Sequence, residues 1–150
     1  MADTPGAVLF ACNYNAVRSP MAEGLMKSLY GHSIFIDSVG VRPTEDANPF
    51  MIEVMAEIGI DMSGHRPKTF DDIDDGAESF DLVITMSPEA QHRAVELTRF
   101  AALDVEYWMT FDPVAIEGNR DMILDAFRGV RDHIRQRIGK RFPSTSLSAI

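Results

Sequence analysis

Three short apolar runs, at residues 7–11, 34–36 and 82–84, and a short strand-like stretch at 105–108 are each followed by a stretch with helical periodicity. Continuous apolar runs of that length fit strands covered on both faces, and strands alternating with helices are the pattern of a parallel sheet. The alternation commits the chain to the α/β class. A chain of 150 residues that is 45% hydrophobic can bury one sizeable core, so a single domain spanning residues 1–150 is expected.

The punctuation between the runs is specific. Pro20 opens a helix that carries Met21, Leu25 and Leu29 on one face, reaches about Tyr30 and stops at Gly31. Asn48-Pro49 reads as a cap followed by the first helical residue, ahead of a stripe of Phe50, Val54, Met55 and Ile58 that ends at Gly59. Asp37-Ser38-Val39-Gly40 follows the second strand, with a loop through Arg42-Pro43-Thr44 after it. Ser87-Pro88-Glu89 opens a third helix to about Phe100, and Ile123, Phe127, Val130, Ile134 and Ile138 line a fourth over 119–142. The acidic run at 71–78 reads as a solvated loop, and the Ser/Thr-rich end, 143–150, as a frayed tail.

The first strand ends in the only cysteine of the chain, Cys12, and Arg18 follows after five intervening residues. A strand, a short loop and a helix start place a thiol and a guanidinium at the carboxyl edge of the sheet, where open α/β sheets bind ligands. Cys12 has two readings. It is a small buried hydrophobe, or a nucleophile whose thiolate is favoured by Arg18 and the helix start. Arg18 is either a surface cation or a forked donor to two oxygens of a tetrahedral anion, a fork that lysine lacks. Asn15 suits a left-handed loop position that would turn successive N–H groups inward. Ser19 is a helix cap or a hydroxyl donor to sulfur. Asn13, Tyr14, Ala16 and Val17 complete the loop. Asp112, before Pro113 and after the fourth strand, is a turn residue or a general acid.

A net charge of -9 argues against a broad basic face for nucleic acid, so an anion must be captured locally. No run approaches a membrane span, and the first residues lack a signal-peptide pattern, so a cytoplasmic protein is expected. One cysteine cannot form an intrachain disulfide. His32, His65, His92 and His133 are scattered, and neither a metal nor a cofactor is implied.

The pattern Cys12-x5-Arg18-Ser19, with Asp112-Pro113 far downstream, resembles the low-molecular-weight protein tyrosine phosphatase family and its arsenate reductase relatives, over nearly the whole chain. That resemblance implies a three-layer, flavodoxin-like fold with a four-stranded parallel sheet and helices on both faces. It implies Cys12 as nucleophile, the loop amides and Arg18 as oxyanion cradle, Asn15 and Ser19 as support for loop and thiolate, and Asp112 as general acid. The reaction implied is hydrolysis of a phosphorylated protein or small aryl phosphate. Reduction of arsenate with an external small thiol is the alternative, and a non-enzymatic oxyanion binder a third.

Three departures mark this chain. Tyr14 stands where the family's phosphatases usually carry glycine, and Val17 where they carry a second cysteine. Val114-Ala115 replaces the tyrosines that wall the aryl cleft. Asn48 through Asp61, His65-Arg66, and the segment from Glu117-Gly118 to Asp132 look more like the reductase branch, yet 85–88 lacks the relay cysteines of its thioredoxin-coupled members.

Overall fold

In the computed structural model, which describes residues 5–73 and 76–142, the expected strands become four parallel strands: β1 (Ala7–Cys12), β2 (Phe35–Gly40), β3 (Leu82–Thr85) and β4 (Asp104–Tyr107). Their order across the sheet is β2-β1-β3-β4. The chain steps from β1 to β2 on one side and then crosses back to β3 on the other. The reversal opens a crevice at the carboxyl end of β1, and Cys12 is the last residue of that strand.

Alternate residues of β1 serve opposite faces. Val8, Phe10 and Cys12 pack with helices α1 (Arg18–Tyr30), α2 (Pro49–Ala56) and α4 (Arg120–Arg141), through Met21, Leu25, Met55, Phe127 and Ile134. Leu9 and Ala11 pack on the other face with Phe80 and with Ala90, Ala94 and Leu97 of α3 (Pro88–Leu97). Helices on both faces make a three-layer α/β fold, the class expected from the alternation and the flavodoxin-like form that the resemblance implies.

The boundaries differ from the periodicity in instructive ways. Helix α1 starts at Arg18, so Pro20 is its third residue; the amides of the first turn have no intrahelical acceptor, and proline costs nothing there. Strand β2 runs on through residues 37–40, because Ser38 is buried and Asp37 is paired with Lys68 at 2.6 Å. Helix α3 ends at Leu97, three residues before Phe100. Strand β4 begins and ends one residue earlier than the expected 105–108. The acidic segment contains 3-10 turns at Phe70–Asp72 and Ala77–Ser79, with Phe70 buried. Asp74, Asp75 and the expected tail at 143–150 lie outside the described residues.

Candidate active site

The loop from Cys12 to Arg18 is held from outside through its carbonyls. Asn13 O accepts from Arg42 N–H at 2.7 Å, Tyr14 O from Thr44 N–H at 3.2 Å and Ala16 O from Asn48 N–H at 3.1 Å, while His65 Nε2 lies 2.9 Å from Asn15 O. Across a planar trans peptide the next N–H points opposite to the carbonyl. The amides of Tyr14, Asn15, Ala16 and Val17 therefore turn toward the Cys12 side, and Asn15 N–H lies 3.3 Å from Cys12 Sγ. This curl needs Asn15 in the left-handed region, φ 53°, the one non-glycine residue so placed among the described residues. It also needs Gly40, where a Cβ would sit 2.7 Å from Asn15 N.

Helix α1 begins without a side-chain cap at Val17. The other three helices start on Asn48, Ser87 and Asn119, whose side chains accept from first-turn amides. The amides left open at α1 point where an anion would sit.

Beneath the loop lies a buried polar chain. Asn15 Nδ2 donates to Ser19 Oγ at 2.8 Å and to Ser38 Oγ at 2.9 Å, and its Oδ1 accepts from Lys68 N–H at 3.0 Å. Ser19 Oγ lies 3.0 Å from Cys12 Sγ and 3.2 Å from Val39 O. Of its two readings, the contact with sulfur is realised and the cap is not, because Ser19 sits inside the first turn. Ser38 Oγ donates to the buried Glu23, which also pairs with Lys27 at 2.6 Å. Ser38, Glu23, Gly40 and His65 escaped the sequence reading. A carboxylate on the apolar face of α1, beside Ala22 and Met26, was the available signal.

Arg18 is buried and reaches across the crevice: its guanidinium donates to Thr110 O at 2.9 Å and Met86 O at 3.3 Å. Asp112 Oδ2 lies 3.7 Å from it, and Asp112 Oδ1 accepts from Val114 N–H at 3.1 Å, so Asp112 also caps the turn Pro113–Ala115. The turn reading of Asp112 holds, and its second carboxylate oxygen faces Arg18. Cys12, Arg18 and Asp112 line one cavity of about 390 Å³, together with Tyr14, Val17 and Val114. Glu89, hydrogen-bonded to the Arg42 guanidinium, holds that group above its ordinary range. Among the described residues no cluster of three or more His, Cys, Asp or Glu is placed to hold a metal ion, and no helix is long and apolar enough to cross a membrane.

A thiol, inward amides, a forked cation and a carboxylate on the far wall form an arrangement able to bind a tetrahedral oxyanion, with sulfur placed beside its centre. The family model described as low molecular weight phosphotyrosine protein phosphatase matches residues 7–146. Arsenate reductase 1 of Staphylococcus haemolyticus is 34% identical over 131 residues, covering 87% of this chain and 90% of that one. The arsenate reductase of Bacillus licheniformis is 35% identical over 139 residues, 92% of this chain and 95% of that one. A solved low molecular weight protein tyrosine phosphatase from T. tengcongensis superposes with a TM-score of 0.73 at 25% identity, covering 96% of this chain and 99% of that one.

Proposed function

The chain belongs to the low molecular weight phosphotyrosine protein phosphatase family, and from that premise we infer that it hydrolyses phosphate monoesters through a cysteinyl-phosphate intermediate. The observation that carries this reading is the open start of α1. Cys12 sits at the floor of a cradle whose amides have no acceptor in the helix, with Arg18 beside it and Asp112 opposite.

In the first step Cys12 Sγ attacks phosphorus in line, and the ester P–O bond breaks. The loop amides and Arg18 hold the three remaining phosphoryl oxygens, where they are fixed in advance and need not reorganise as charge shifts. Asp112 gives its proton to the departing oxygen. In the second step the Asp112 carboxylate takes a proton from water, the water oxygen bonds to phosphorus, and the S–P bond breaks to release phosphate. Ser19 and Asn15 touch the sulfur and order the loop. The substrate is a phosphorylated protein or a small aryl phosphate.

The relatives named arsenate reductases favour a second reading. The same cradle would take arsenate, and Cys12 would form a thiol adduct on arsenic. Reduction to arsenite takes two electrons, and with one cysteine in the sequence a small external thiol must supply the second sulfur. One experiment separates the readings. An aryl phosphate is mixed with the Asp112→Asn variant, quenched and digested, and phosphate is sought on the Cys12 peptide; arsenite formation is measured in parallel with and without glutathione. Phosphocysteine with slow aryl-ester turnover supports the phosphatase. No phosphocysteine, with glutathione-dependent arsenite from the wild type, replaces it with the reductase. Phosphate binding without either reaction leaves the chain a non-enzymatic binder.

A further inference from the structure

Among the residues lining the cavity over Cys12, Tyr14 is the sole aromatic one. The residue is 39% exposed and therefore stands at the mouth, above a floor that is nearly closed to solvent. The ring is not loose. The Arg42 guanidinium lies over it, 5.7 Å from the ring centroid, and is itself gripped by both carboxylate oxygens of Glu89 in the first turn of α3. The backbone is pinned as well: Arg42 N–H donates to Asn13 O at 2.7 Å and Thr44 N–H to Tyr14 O at 3.2 Å.

Glu89 neutralises Arg42, so the brace adds no free positive charge at the mouth. What it offers an incoming ester is a pre-oriented aromatic surface. An aromatic side chain held in its bound orientation forfeits little freedom on contact and gains from stacking on another ring. The rest of the wall mixes apolar Ala47, Pro49 and Val114 with polar Thr44, Asp46 and Asn48, and the segment after Asp112-Pro113 brings no aromatic residue to the cavity.

The geometry points to Tyr14 as the specificity-determining wall of this site: braced by Arg42 and Glu89, its ring selects esters whose leaving group is a planar aromatic. This deepens the phosphatase reading and rests on it for the meaning of leaving group. Arg42 and Glu89 are positioning residues, acting through the ring.

The test uses phenylphosphonate and methylphosphonate, which carry the same oxyanion with and without a ring and cannot be hydrolysed. Titration calorimetry gives Kd for both with the wild type, Tyr14→Phe, Tyr14→Leu and Glu89→Gln, with Tm recorded for each protein. The wild type is expected to prefer the phenyl compound by about 10-fold. Tyr14→Phe should keep that preference, since stacking needs no hydroxyl, and Tyr14→Leu should cut it by about 3- to 10-fold. Glu89→Gln should cut it by about 2-fold through a freer ring. An unchanged Kd ratio in Tyr14→Leu, or an equal loss for both compounds, would overturn the assignment. Binding is read without turnover, so a Tyr14-dependent ratio in a protein that hydrolyses no aryl phosphate would count against the phosphatase reading and not against the wall.

Discussion

The loop at the start of α1 and the seam between α2 and α4 both gather charged and polar groups, yet they treat them in opposite ways. Along the seam every contact is closed within the chain. Arg128 pairs with Glu57 and Asp125, Arg131 donates to Val54 O and Glu57, and Arg120 pairs with Glu53. At the loop the carbonyls are satisfied from outside while the amides, the thiol and one side of Arg18 face a cavity. Of the four helices, three close their first turn with a capping side chain and α1 does not, which leaves its first amides able to meet an anion.

Replacing Cys12 should break the contrast most sharply on the chemical side. Cys12→Ser is expected to lower kcat on an aryl phosphate by on the order of 10⁴ or more, while phosphate still raises Tm, because amides and Arg18 make the cradle. A variant that turns over normally would remove the nucleophile from the account, and one that phosphate no longer protects would remove the cradle. Next in size is Asp112→Asn, expected to cost about 10²–10⁴ in kcat with little change in phosphate affinity; steady-state kinetics and calorimetry on one preparation check both halves.

Changes away from the loop should move stability and spare activity. Asn119→Ala removes the acceptor for Met122 N–H at 2.9 Å and should cost about 1 kcal/mol, seen as a fall of about 2–4 °C in Tm with kcat/KM unaltered. The smallest effect belongs to Glu57, whose carboxyl is held at about 2, first by hydrogen bonding to Arg128 and then by Arg131. A carboxylate with a folded pKa below the unfolded value of about 4.3 contributes stability above that value and loses it as pH falls toward 2. Glu57→Gln should therefore lower Tm at pH 7 by less than Asn119→Ala does, and the gap to wild type should close by about pH 2. A gap that persists there would mean that packing, not charge, holds the seam.

Much of this contrast could be read from the residues themselves. Apolar runs located the central strands β1 and β3 because a strand covered on both faces must be apolar, whereas the edge strand β4 carries Glu106 and is half-exposed, and Asn48, Ser87 and Asn119 announced three helix starts by their chemistry. Cys12, Arg18 and Asp112 were legible because strand ends of a parallel sheet converge on one edge. The polar chain under the loop was not. Ser38 looks like a turn residue until its partner Asn15 is known, and the two lie 23 positions apart. His65 and Gly40 matter only through the backbone of Asn15, which no periodicity reports.

The solitary thiol has one more consequence. Cys12 is both the floor of the cavity and the sole sulfhydryl in the sequence. A small thiol-directed alkylating label therefore has a single address on this molecule. Its uptake counts working sites one for one, and the slowing of that uptake by phosphate, arsenate or an aryl phosphonate reads occupancy directly in a mass spectrum, with no engineered tag.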